Sequence, residues 1–196
     1  VYRFFIPLLI GFAFNLASAF TAEFSRRWGE RRGAVVSAVL RDLLGIPVWA
    51  TGFFLAARDP TLLVSSAFVD EVEADGLIGV VARLLGWSLI ALGGAVILAA
   101  LVTIRQRALA PSAGDSLAQT GLYAHVRHPI HSGTLLEFFG LFLVLLTRAM
   151  ALSCYLGVGW VLLQTRCEEY DLLRHLPGYR AYMQRVPRFL PRLKSG

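Results

Sequence analysis

The run LLGWSLIALGGAVILAALVTI, Leu84 to Ile104, is 21 residues long and carries no charge. As a helix rising ~1.5 Å per residue it reaches across the ~30 Å hydrocarbon layer of a bilayer. In lipid, backbone polar groups have no water to bond, so a segment of this kind restricts its surroundings to helices. The rest of the chain agrees: 56% of its residues are hydrophobic and only 16% charged, where soluble chains carry ~25%. Mean hydropathy is +0.60.

The expected fold class is therefore all-α: a polytopic integral membrane protein of about five transmembrane helices. The segments are drawn at about Tyr2–Ala22, Ala34–Ala57, Leu77–Ile104, Ser132–Thr147 and Ala149–Thr165. Arg41 and Asp42 interrupt the second. The last two are short and separated only by Arg148 and its neighbours, which predicts a tight helical hairpin. Within it Gly133, Gly140, Gly157 and Gly159 are expected to let the two backbones approach closely. Residues 1–110 form an N-terminal unit of three spans with their loops, and residues 111–196 a second unit of loop, hairpin and tail. Cys154 and Cys167 do not make a disulfide framework.

Charge asymmetry predicts the topology. Fourteen of the nineteen basic residues fall in the first loop (FSRRWGERRG), the third loop and the C-terminal tail. Only Arg3, Arg58 and Arg148 fall on the other side, beside the acidic stretch VDEVEADG. Basic loops stay in the cytoplasm, so the N-terminus is expected outside and the third loop and tail inside. The same rule accounts for the sequence pI of about 9.9 without nucleic acid, which is not an expected partner. The chain opens at Val1 rather than methionine, so upstream sequence is expected; the first span is too long for a signal-peptide core.

Two polar clusters then share the cytoplasmic face. One is GLYAHVRHPIHSG, residues 121–133, at the start of the fourth span. The other is CEEYDLLRHLPGYRAYMQRVPRFLPRL, which leaves the fifth. In the tail, Leu172, Leu173 and Leu176, then Tyr179, Tyr182, Met183 and Val186, recur at helical spacing, with Arg174, Arg180 and Arg185 on the other sides. Pro177-Gly178 divides the run. This predicts two short amphipathic helices lying in the interface as a lid.

Taken in order, G-L-Y before V-R-H-P, the glutamate pair Glu168-Glu169, and Y-x-x-Y followed by R-V-P-R-F-L-P resemble the isoprenylcysteine carboxyl methyltransferase family. That family belongs to a wider group with phospholipid N-methyltransferases and small-thiol methyltransferases. The resemblance covers residues 115–192. It implies S-adenosylmethionine held under the C-terminal helices, with contacts at Ser116, Leu117, Ala118, Tyr123, His128, Pro129, Ile130, His131, Glu168 and Glu169. The chemistry suits such a cofactor. Carboxylates can hold its ammonium and hydroxyls, Arg127 or His128 its carboxylate, and Leu117, Ala118 and Tyr123 its base. Pro129 in the first helical turn leaves N–H groups free to face an anion.

Three departures from the family pattern matter. His131 stands where the family usually has tyrosine. Gln164 stands where the carboxyl methyltransferases carry a substrate-directed arginine. Arg166 is two residues further on, and two residues turn a helical side chain by roughly 200°. The R-x-E-E-x-D-L order is nearer the small-thiol branch.

The expected function is an integral membrane S-adenosylmethionine-dependent methyltransferase. Its acceptor is a membrane lipid or lipophilic small molecule: an isoprenylcysteine-like carboxylate, a phospholipid amine or a small thiol. Direct displacement needs in-line positioning and exclusion of water rather than a triad. Arg166 or Arg127 is expected to orient the acceptor, with Gln164 and the intramembrane Glu137 as further substrate-side candidates. Arg41 and Asp42 are neighbours on a helix, so each is expected to pair with another helix. His125 and His175 are expected to be inert. No metal site is expected from the four histidines, because no Cys/His/Asp spacing repeats. The competing readings are a non-catalytic accessory protein of the same fold and a nicotinamide-dependent relative of the membrane sterol reductases.

Overall fold

The computed structural model describes residues 3–59, 76–104 and 118–192. Ser116 and Leu117, and the acidic stretch before Gly76, lie outside them. The described residues are helical. α1 is Phe5–Ser18, α2 Thr21–Trp28, α3 Glu30–Ala57, α4 Leu77–Ile104, α5 Pro129–Leu145, α6 Arg148–His175 and α7 Tyr179–Arg185, with a 3-10 turn at Gly121–Ala124.

Among the described residues two helices, α3 and α4, are long and apolar enough to cross a bilayer. α1 and α2 add a third if the pair, bent by 60°, counts as one crossing. The expectation of about five full spans is thereby reduced. At 17 residues α5 reaches only ~25 Å. α6 has 28 residues, but its apolar stretch gives way to Arg166, Glu168 and Glu169 and the helix continues unbroken to His175. The tail accordingly holds one short helix, α7, rather than two. α4 carries Leu84, Trp87, Leu98 and Val102 exposed on its outer face, the surface that lipid would cover.

The expected α5–α6 glycine seam is also corrected. Gly133 and Gly140 face α4, not α6. A Cβ built on Gly133 would lie 2.6 Å from the Gly93 carbonyl oxygen, and one on Gly140 would lie 2.6 Å from that of Gly86. The reverse contacts are 2.6 and 2.7 Å. Residue numbers rise on one helix as they fall on the other, so α4 and α5 are antiparallel with their backbones in contact. The buried α4 positions Gly79, Gly86, Gly93 and Ala100 repeat every seven residues, which keeps one seam facing one partner. Gly157 does meet α5, but through the Phe138 ring, and Gly159 has nothing within 4 Å.

α1 crosses α3 just as closely. An added Cβ on Gly11 would strike the Trp49 backbone at 2.4 Å, and one on Gly45 the Asn15 side chain at 1.9 Å. The core joins α1, α3, α5 and α6 through Phe4, Leu8, Phe12, Phe53, Phe138, Met150 and Val161. Phe12 stacks on Trp160 at 4.9 Å and Phe53 on Phe138 at 5.0 Å. Val39–Gly45 of α3 is wound as a π-helix. There Arg41 and Asp42 pair with each other, Nε to Oδ1 at 2.7 Å and Nη2 to Oδ2 at 2.9 Å. Each is expected to find a partner on another helix; the two also bond each other, because a guanidinium can fold back toward its own neighbour.

Candidate functional site

Pro129 opens α5 and is fully buried, fixing the direction in which the helix leaves the 121–128 corner. The tail is strapped across this corner by its backbone. Arg127 N–H donates to the Pro187 carbonyl at 2.8 Å and His128 N–H to that of Arg188 at 3.0 Å. Ser132 Oγ donates to the Phe189 carbonyl at 2.8 Å, and the Tyr182 hydroxyl to the Tyr123 carbonyl at 2.6 Å. Sequence reasoning named neither Arg188 nor Phe189. Their only signal was their place within R-V-P-R-F.

Glu169 fastens the strap. Its carboxylate accepts from Arg127 Nε and Nη2 at 3.0 and 2.8 Å, from His128 Nε2 at 3.1 Å, and from Arg188 Nε at 3.1 Å, with Arg188 Nη2 also paired to it. Burial alone would raise this carboxyl, but the hydrogen bonds from His128, Arg188 and Arg127 outweigh it and hold it at about 2. The remaining Arg127 nitrogen, Nη1, donates to the Met183 and Val186 carbonyls. Arg127 is thus committed to the strap, and it also borders the adjoining cavity. Arg166 lies on the exposed side of α6 and takes no part in the cavity wall. Of the two arginines expected to orient an acceptor, Arg127 reaches the cavity and Arg166 does not.

One helical step away, Glu168 points into a cavity of about 660 Å³, within the size range of small-molecule sites. Its Oε1 accepts from Gln164 Nε2 at 2.9 Å and lies 3.9 Å from His131 Nε2; its Oε2 lies 3.4 Å from His128 Nδ1. Burial opposes its ionisation, but the His131 and His128 imidazoles and the Gln164 amide hold the carboxyl at about 2. Burial likewise disfavours the His128 imidazolium, yet the two carboxylates it touches raise its pKa above the usual histidine value. Tyr123 has its phenol pushed up, first by burial and then by the Glu168 charge, so it remains a hydroxyl.

Of the expected cofactor residues, Ala118, Tyr123, His128, Ile130, His131 and Glu168 line the cavity, with the substrate candidate Gln164. Glu169 and Pro129 sit behind the wall. Glu137 lies over the α4 glycines, its Cγ 2.8 Å from a Cβ built on Gly93, and takes no part in the wall. The cavity also draws on residues the sequence did not single out for it, and they come from the N-terminal half. Ile46, Trp49, Ile97 and Leu101 line its apolar side, and Asn15 and the Arg41–Asp42 pair sit on the wall. His175, expected to be inert, faces the cavity too, with Nδ1 2.9 Å from the Asp171 carbonyl.

Three buried polar atoms on wall residues have no partner among the described residues: the indole nitrogens of Trp49 and Trp160 and the Gln164 carboxamide oxygen. Each such atom is destabilising by about 1–3 kcal/mol unless something else satisfies it. Donors, an acceptor, a carboxylate and apolar surface together suit an amphiphilic ligand with its own polar groups. No family model, curated protein or solved structure matches this chain.

Proposed function

We propose that this membrane protein is an S-adenosylmethionine-dependent methyltransferase acting on a lipophilic acceptor. One observation carries the reading. The corner GLYAHVRHPIHSG and the pair Glu168-Glu169, about 40 residues apart in the chain, meet across a single cavity whose far walls are apolar. When bound, the cofactor supplies a methyl group on a cationic sulfonium. Glu168 holds an ammonium or a ribose hydroxyl, with Gln164 fixing the carboxylate's orientation. Tyr123, Ala118, Ile130 and Trp160 form the slot beside it. Ser116 and Leu117 belong to the same proposal on the strength of the sequence resemblance alone.

Arg127 and Glu169 are positioning residues: they keep the strap closed over the corner and so keep water from the reacting end. The acceptor's apolar portion lies along Ile46, Trp49, Ile97 and Leu101. Its nucleophile, whether carboxylate, thiolate or neutral amine, needs no general base. The basic loops put the polar end of the cavity at the cytoplasmic face, with the N-terminus outside.

The test is calorimetric titration of the purified chain in detergent with S-adenosylmethionine, and separately with NADPH. Saturable binding of the first, lost in Glu168→Gln and retained in Arg166→Ala, is the expected result. Binding of NADPH alone would favour a reductase, and binding of neither would end the methyltransferase reading. Incubation with methyl-labelled cofactor and total membrane lipid then identifies the acceptor class from the labelled product.

A further inference from the structure

His128, His131 and Glu168 offer one ligand atom each, and these atoms all lie within 4.8 Å of one another. Around a tetrahedral zinc, with bonds of about 2.0–2.2 Å, neighbouring ligand atoms sit roughly 3.4 Å apart. The separation of His128 Nδ1 from Glu168 Oε2 is 3.4 Å, and that of His131 Nε2 from Glu168 Oε1 is 3.9 Å. The first pair already has the span a metal would impose. The second is within a side-chain rotation of it. The expectation of no metal site looked for a repeated Cys/His/Asp spacing along the chain. Two histidines, the N-cap His128 and His131 in the first turn of α5, suffice when a carboxylate on another helix completes the set.

The surroundings are those of a metal ligand shell rather than of an isolated ion pair. Histidines that bind metal through one nitrogen generally donate the other N–H to a carboxylate, which fixes tautomer and ring orientation. His128 does so: Nε2 lies 3.1 Å from Glu169 Oε1, and the ionised Glu169 can only accept. Nδ1 is thereby the nitrogen turned toward Glu168 and His131. Glu169 is itself held by Arg127 and Arg188, so the ring cannot swing away without opening the strap. Glu168 is oriented in the same manner by the Gln164 amide at 2.9 Å.

We propose that His128 Nδ1, His131 Nε2 and a Glu168 carboxylate oxygen form a binding site for a divalent transition metal, with a coordination position open to the cavity. Two imidazoles and one carboxylate suit zinc, cobalt or nickel rather than magnesium or calcium, which take all-oxygen sets. Three protein ligands and an accessible fourth position are the arrangement in which a metal still binds water or a ligand group. The site does not rest on methyl transfer. Since a metal here and S-adenosylmethionine would both use Glu168, the metal titrations are run without the cofactor.

The experiment loads the full chain, purified in detergent and stripped with chelator, with Co²⁺ and with Zn²⁺. Binding of one equivalent, with the intense visible absorption of a four- or five-coordinate cobalt, is expected. Zinc should displace the cobalt, and X-ray absorption of the zinc form should show two imidazoles. His131→Phe and Glu168→Gln should each weaken binding by about tenfold or more, whereas His125→Ala and His175→Gln should leave it unchanged. The proposal is overturned by a weak, six-coordinate aqua-type cobalt spectrum, by sub-stoichiometric uptake, or by loss that follows His125 or His175 instead. The spectra are taken on the unsubstituted chain, so a variant that fails to fold does not remove the test.

Discussion

Replacing Glu169 by glutamine should release the C-terminal strap. Five N–H donors from Arg127, His128 and Arg188 converge on this carboxylate, whose side chain is only 5% exposed, as is 9% of Arg127. A glutamine of the same shape offers one neutral oxygen and turns an NH2 toward the guanidinium groups. Removing one partner of a buried ion pair costs about 3–5 kcal/mol, because the charges left behind stay desolvated. Arg188 is 31% exposed and recovers some hydration, so the lower end applies. At 1.36 kcal/mol per factor of ten, about 3 kcal/mol corresponds to a roughly hundredfold rise in strap opening. The readout is hydrogen exchange of the Arg127 and His128 amides, which donate to Pro187 and Arg188. Peptides spanning residues 124–132 should exchange about a hundred times faster, and those from α4 should not change. A change of less than about threefold at the strap amides would refute the view that Glu169 holds it shut.

The α4–α5 seam should not tolerate a single methyl group. Gly93→Ala places its Cβ about 2.6 Å from the Gly133 carbonyl oxygen, and overpacking of this kind costs about 1–3 kcal/mol. Gly159→Ala, with nothing within 4 Å, should be neutral or stabilising by up to about 1 kcal/mol; thermal unfolding in detergent compares the two. Strap stability should also depend on pH in a defined direction. The raised His128 pKa contributes stability that is complete below about 6.5 and lost as pH climbs through the raised value. The depressed Glu168 and Glu169 carboxyls contribute above about 4.5, and that part is lost only as pH falls toward about 2. Protection of the strap amides, corrected for intrinsic exchange, should therefore be greatest between about pH 4.5 and 6.5 and fall on the alkaline side. His128→Asn should abolish the alkaline fall.

Much of the helix content was legible because hydropathy is a local property. The span from Leu77 to Ile104 was read with the bounds it has, and the corner at Pro129 marked the start of α5 within three residues. The interruption at Arg41 and Asp42 was legible as an anomaly, but not as a π-helical turn in which the two bond each other. The seven-residue repeat of Gly79, Gly86, Gly93 and Ala100 was in the sequence too. Pairing Gly133 and Gly140 with their nearest helix in the chain hid its meaning, since a small side chain says that something approaches closely without saying what.

By itself, the sequence determined that this chain is helical, with segments long and apolar enough to cross a membrane, and that two polar clusters stand beside those segments. Those conclusions follow from composition and period alone. Tertiary structure decided which of two adjacent glutamates serves the fold and which faces the cavity. Consecutive residues on a helix point about 100° apart. Only the packing of α6 against the 121–128 corner and the tail turns Glu169 into the arginine clamp and Glu168 into the cavity. Tertiary structure also brought Asn15, Trp49 and Ile97 to the same wall, because proximity across a bundle is set by how helices cross, which no local pattern encodes.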